Sequence, residues 1–223
     1  MKPWEVIGRT RTPGGTDLTL VQHPSEYVIL ADGQNLMSSR MHGSEDALAV
    51  LGCRHARSQT HPCVLVGGLG MGFTLRAALD TLPLGAEIVV AELVPAVVEW
   101  NRGPLGPLAS HPLDDPRVRV EIGDVAALMR ARRGRFDAVL LDVDNGMVAM
   151  TTPANAGLYD DHGVAVALAS LRPRGVLACW SAGDDPGFER RLRAAGLEVE
   201  RHHVRSRGRK GARHTIVLAR GEP

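Results

Sequence analysis

From residue 63 onward, short and almost uninterrupted apolar runs alternate with longer stretches in which apolar residues recur every three or four positions. The runs Cys63–Gly67, Glu87–Glu92, Arg117–Ile122, Phe136–Asp142 and Gly175–Ser181 read as strands covered on both faces. The stretches Phe73–Leu82, Pro95–Arg102, Val125–Arg133, His162–Leu171 and Gly187–Ala195 read as helices. This alternation predicts an α/β domain with a doubly wound, Rossmann-like sheet that is mostly parallel. Leu197–Arg205 and Ala212–Ala219 are both strand-like and are joined by a short basic loop, so the sheet is expected to close with a C-terminal antiparallel hairpin.

Ahead of residue 60 the rhythm differs. Asp17–Gln22 and Glu26–Ala31 alternate loosely and flank His23-Pro24-Ser25, which predicts a small N-terminal β-hairpin region. Asp32-Gly33-Gln34-Asn35 then supplies turn residues. Ser44 is expected to N-cap a helix reaching to about Ala56, with Glu45 and Asp46 in the first turn, where the helix dipole favours acids. The expected division is residues 1–60 for the hairpin region and its leading helix, and 61–223 for the α/β domain.

Composition narrows the function classes. Hydrophobic residues are 44% of the 223 and charged residues 23%, which excludes a disordered chain. Lys+Arg is 26 against Asp+Glu 25, so no global field draws the chain to nucleic acid or an anionic membrane. No run approaches the ~20 apolar residues of a membrane span. The start, Met1-Lys2-Pro3-Trp4-Glu5, has no apolar core of an export signal, so a cytoplasmic location is expected. Cys53, Cys63 and Cys179 form no CxxC and are expected to be free thiols. No histidine pairs with another ligand at a recognised metal spacing, so no metal is expected. The segment from Arg201 to His214 is basic and contains no acid and no Phe, Tyr or Trp; it reads better as a solvated hairpin tip than as a nucleic-acid surface.

Chemistry concentrates at the strand ends. Val64-Leu65-Val66-Gly67 runs into Gly68-Leu69-Gly70-Met71-Gly72, and a helix follows. Gly68, Gly70 and Gly72 permit positive φ in a tight turn and let a ligand approach the backbone, while the helix N-terminus adds free N–H groups. Glu92 ends the second strand, where it can accept hydrogen bonds from ribose hydroxyls. Asp124 follows the third strand, either as a helix N-cap or as a ligand contact, and Asp142 ends the fourth. Three successive strands thus deliver carboxylates to the sheet edge at which open α/β folds bind ligands.

These residues resemble the class I S-adenosylmethionine-binding fold, and more closely its spermidine-synthase-like branch. The likeness rests on Gly67–Gly72, on Glu92-Leu93-Val94 with Val97-Val98-Glu99, and on Asp115-Pro116-Arg117-Val118 with Gly123-Asp124. Phe136-Asp137 leading to Leu141-Asp142, Leu158-Tyr159 and Ala31-Asp32-Gly33 extend it. The resemblance implies S-adenosylmethionine, or its decarboxylated form, held by Gly68, Gly70, Gly72, Glu92 and Asp124. It implies Asp142 near the attacking amine, with Asn145 as the second matching position, or Asp144 if the match shifts by one, and Tyr159 on the substrate side. Asp142 and Asp144 are the candidate proton acceptors. Trp180, at the end of the fifth strand, lies either on the substrate side or in the core. Two departures stand out. Met71 occupies the loop position where spermidine synthases carry an acid, and their Gln and Tyr-His pattern is not recovered in Leu36–Gly43.

Three functions follow. The first is a methyltransferase on a spermidine-synthase-like scaffold, with a small amine or related small molecule as acceptor; Met71 favours it. The second is an aminopropyltransferase using decarboxylated S-adenosylmethionine. The third is a non-catalytic nucleoside- or RNA-binding protein, against which the intact Glu92, Asp124 and Asp142 weigh. No membrane or nucleic-acid partner is expected, and a homodimer is left open.

Overall fold

The computed structural model describes residues 3–143, 157–208 and 210–221. Strands β1 (Glu5–Arg11), β2 (Asp17–His23), β3 (Glu26–Ala31) and β4 (Gln34–Ser38) form an antiparallel sheet in chain order. The sequence pattern yields β2 and β3 only. β1 is too exposed to show an apolar face, and Ser38 is the single buried residue of β4. Asp32 and Gly33 join β3 to β4 with φ of +47° and +78°, the two positive values a primed hairpin turn requires.

Helix α1 (Gly43–Gly52) follows, and two expectations change here. His42 is the N-cap residue, not Ser44, whose hydroxyl is buried and donates instead to Glu45 Oε2 at 2.5 Å. The helix ends at Gly52, and Ala56 starts a separate single turn. A Cβ at Gly52 would lie 2.3 Å from Leu140 Cδ2 and 2.9 Å from Ala178 Cβ, so glycine is what lets α1 press onto the large sheet.

That sheet contains β5 (Cys63–Gly67), β6 (Glu87–Glu92), β7 (Val118–Ile122), β8 (Phe136–Leu141), β9 (Leu171–Ser181), β10 (Leu197–Arg207) and β11 (Lys210–Gly221). Their order is β10-β11-β9-β8-β5-β6-β7. The pairs among β5 to β9 are parallel, and β11 is antiparallel to both β9 and β10, which bears out the expected class. Among the described residues, the further α-helices are α2 (Phe73–Thr81), α3 (Pro95–Arg102), α4 (Val125–Ala131), α5 (Asp161–Ser170) and α6 (Pro186–Ala194). β9 starts at Leu171, earlier than expected, because Leu171 already pairs with Phe136.

The strands are apolar throughout because each serves two cores. Val64 and Val66 of β5 and Ala138 and Leu140 of β8 pack with α1 and α2. Cys63, Leu65, Val139 and Leu141 point the other way, toward α4, α5 and α6. The three cysteines are buried and free; burial pushes the Cys53 thiol up to about 12 and that of Cys63 to about 11, so they act as apolar filling. Among the described residues, no helix is long and apolar enough to cross a membrane. From β5 the sheet grows toward β6 on one side and β8 on the other. The crevice beyond the ends of β5 and β8 is therefore the switch point at which such sheets bind ligands.

Candidate functional site

The loop after β5 is anchored before any ligand arrives. Gly68 N–H donates to Ala91 O, and Asp142 N–H donates to Gly67 O, each at 2.9 Å. Gly68 has φ +88°, and a Cβ there would lie 2.3 Å from Asp142 O. Gly70 has φ +51°, and its Cβ would meet Met37 Cε and Sδ at 3.1 Å. These two glycines bring the backbone to the edge of a cavity of about 400 Å³. Gly72 does not line that cavity: it caps α2 with φ +83° and lies against Asn101, a packing role. Met71 is fully buried in the core, so the loop presents no side-chain charge from that position.

Glu92 is buried at 7% exposure and lines the cavity. Its Oε2 accepts from Leu69 N–H at 2.9 Å and its Oε1 from Val94 N–H at 2.8 Å. Two charge-assisted bonds thus tie the end of β6 to the glycine loop and fix the carboxylate before binding. Asp124 is the N-cap of α4, accepting from Ala126 N–H at 3.0 Å and Ala127 N–H at 3.2 Å, and its place on the cavity wall keeps the ligand reading open.

Asp142 lines the same cavity, and its Oδ2 accepts from Thr74 Oγ1 at 2.6 Å. Asp144 and Asn145 lie outside the described residues. Trp180 lines the cavity and packs at 60° to His214, ring centroids 4.8 Å apart. Tyr159 does not line it: at 3% exposure its ring meets Phe188 edge-on and its carbonyl accepts from Arg191 Nε. The structure therefore brings together Gly68, Gly70, Glu92, Asp124, Asp142 and Trp180, and leaves Gly72 and Tyr159 in the packing around them.

Four features of the site are absent from the sequence reading. The N-terminal sheet supplies one wall through Leu18, Ile29, Asn35 and Met37, and the C-terminal hairpin supplies Ser206 and His214. Glu45 lines the cavity at 6% exposure. Its carboxyl is pushed up to about 7, first by burial and then by the charge of Asp142. Ser44 Oγ lies 2.8 Å from His214 Nδ1, which joins α1 to β11. A signal for Glu45 existed in part: an acid in a first helical turn needs no other explanation, so nothing local separates it from a dipole contact.

No protein-family model matches the chain. Over an alignment of 167 residues, covering 68% of this chain and 31% of the relative, it is 32% identical to a polyamine aminopropyltransferase of Mycobacterium tuberculosis. It is 32% identical over 121 residues to a spermidine synthase of Dictyostelium discoideum, covering 53% of this chain and 40% of that one. It is 33% identical over 115 residues to putrescine N-methyltransferase 4 of Nicotiana tabacum, covering 51% and 28%. The match thus spans about a third of the first relative's length. The crystal structure of a spermidine synthase from Thermotoga maritima superposes with a TM-score of 0.75 at 18% identity, covering 97% of this chain and 73% of that one. A spermidine synthase in complex with the transition-state analogue AdoDATO gives 0.74 at 17% identity, covering 97% and 72%. The fold is therefore the class I S-adenosylmethionine-dependent methyltransferase fold. With its small antiparallel sheet ahead of the α/β domain, the chain adopts the spermidine-synthase-like form of it.

Proposed function

We propose that the chain is a transferase that moves an alkyl group from an adenosyl sulfonium donor to an amine, with aminopropyl transfer from decarboxylated S-adenosylmethionine as the leading reading. The observation that carries it is the fixed Glu92 carboxylate in one cavity with Gly68, Gly70 and Asp142. The residues fit such a donor. Gly68 and Gly70 line the cavity and carry no side chain, so a donor could approach their backbone closely, and about 400 Å³ falls within the range of small-ligand sites. Glu92 would hold the ribose hydroxyls, Asp124 the adenine amine and Asp142 the reacting amine, with Trp180 on the substrate side.

The bound donor supplies an activated carbon on a sulfonium sulfur. The protein's part is then to orient the amine in line with that carbon, to exclude water and to accept a proton. The curated aminopropyltransferase and spermidine synthase relatives support this order of the readings, which reverses the order favoured from Met71 alone. Methyl transfer remains the second reading, on two observations: Met71 is buried and brings no acid to the donor's terminal ammonium, and a tobacco putrescine N-methyltransferase is among the relatives.

The test is calorimetric titration with S-adenosylmethionine, its decarboxylated form and methylthioadenosine, followed by mass analysis of putrescine incubated with each donor. An aminopropyl adduct supports the leading reading, and a methyl adduct the second. Nucleoside binding without either product supports a non-catalytic binding protein.

A further inference from the structure

Glu45 stands apart from the strand-end acids because it comes from α1, above the first turn of α2. Its surroundings come from several elements. Ser44 Oγ donates to Glu45 Oε2 at 2.5 Å, and His214 of β11 meets Ser44 Oγ at 2.8 Å. Thr74 of α2 lies 3.4 Å from the Glu45 carbonyl, but a hydroxyl has one proton, and the 2.6 Å bond to Asp142 takes it. Asp142 at the end of β8 faces the Glu45 carboxyl electrostatically, and Asp46, paired with His42, lies on the same helix.

Two carboxyl groups thus line one cavity. Thr74 Oγ1–H donates to Asp142, while Glu45 is buried and its charged form is repelled by Asp142. A group that changes protonation near neutrality is matched to accept a proton during turnover. His214, which burial holds toward its neutral form, has a ring nitrogen to exchange protons with Ser44. With Glu45 charged, the chain of donors runs from His214 Nδ1–H to Ser44 Oγ–H to Glu45; with Glu45 protonated, it runs the other way. The tautomer follows from that network.

Resting on the proposed transferase reading, we propose that Glu45 is the catalytic base of the cavity, with Asp142 orienting the amine and Ser44 and His214 carrying the proton away. In that step the amine lone pair forms a C–N bond to the donor carbon, and the C–S bond breaks. Its electron pair stays on sulfur as a neutral thioether. The proton leaves the new ammonium for a Glu45 oxygen.

The test compares wild type with Glu45→Gln, using decarboxylated S-adenosylmethionine and putrescine. Putrescine must lose one proton to react, which gives kcat/KM one power of pH dependence throughout. Wild type is expected to add a second below about pH 7, where Glu45 is protonated. Glu45→Gln should lose that second power and about a hundredfold in rate, the scale of a general base, with methylthioadenosine affinity unchanged. An unaltered pH profile in Glu45→Gln with methylthioadenosine still bound overturns the inference alone. Failure of wild type to bind methylthioadenosine overturns the transferase reading, and this inference with it. If Glu45→Gln does not fold, Ser44→Ala decides. It removes the bond that favours the Glu45 carboxylate, so the break should move to higher pH, and an unmoved break overturns the proposal.

Discussion

Thr74 Oγ1 donates a 2.6 Å hydrogen bond to Asp142 Oδ2, tying the first turn of α2 to the end of β8. The two residues are far apart in sequence, yet both flank the glycine loop, so the bond closes a frame around the crevice. Hydrogen bonds to charged groups contribute about 1.5–3 kcal/mol. Thr74→Val keeps the shape and removes the donor. It should lower the melting temperature by several degrees, at roughly 2–4 °C per kcal/mol for a chain of this size. Calorimetric melting checks this, and an unchanged midpoint would show that water replaces the hydroxyl.

Glu92 carries a double duty that separates two substitutions. Glu92→Ala leaves the Leu69 and Val94 N–H groups without their acceptor and removes the proposed ribose contact. Nucleoside affinity should fall on the order of tenfold or more, and stability should fall by about 1–3 kcal/mol. Glu92→Gln keeps one carbonyl acceptor and should lose less of both. Titration with methylthioadenosine beside a denaturant melt reads the two effects separately; full nucleoside affinity in Glu92→Ala would remove Glu92 from the binding site.

The strands β5 to β9 and the acids at their ends were legible because each signal is local: an apolar run, then glycines or a carboxylate. The cavity's other walls were not. β1 lies exposed at a sheet edge and β4 has one buried residue, so neither shows a period. Glu45 and His214 join the site only because Gly52 lets α1 settle on Leu140 and Ala178, and because β11 inserts between β9 and β10. Such long-range packing leaves no mark in the local pattern. Tyr159 shows the converse: an aromatic at a matching position packs into the core against Phe188.

The basic segment illustrates the same limit of locality. It contains no acid of its own, but Arg201 Nε pairs with Glu189 at 2.6 Å and His203 Nε2 with Asp184 at 2.9 Å, both acids outside it. Arg205 donates to Gly211 O at 3.2 Å. With part of its charge met internally and no aromatic to stack on bases, the hairpin should not bind RNA or DNA strongly. The check is a salt series of binding assays. Sub-micromolar affinity with a steep salt slope, lost when Arg205 and Arg207 are neutralised, would promote the nucleic-acid reading.

The stability that Glu45 contributes should fall as pH rises toward neutrality, which is the reverse of the usual carboxylate case. Glu45 has an ordinary value of 4.5 and is raised to about 7 in the fold, by burial first and Asp142 second. Between those values the folded state holds a proton that the unfolded state has released. Stability therefore declines with pH through that window, and the penalty is complete above about 7. Asp184 acts oppositely: bonds from Thr215 and His203 lower it to about 2, so its small, solvent-screened contribution is present above 3.8 and fades in acid. The Glu45 window lies clear of the Asp184 window but is shared with His214, which burial lowers from 6.5 and which therefore gains stability as pH rises. The difference between wild type and Glu45→Gln cancels His214 and isolates Glu45. Relative to Glu45→Gln, neutral throughout like the protonated acid, wild type should lose melting temperature from about pH 5 to about 7.5 and fall below the variant above neutrality but not at the acidic end. Parallel profiles for the two proteins would mean that Glu45 ionises in the fold as it does in water, and would remove the energetic basis for setting it apart from Asp142.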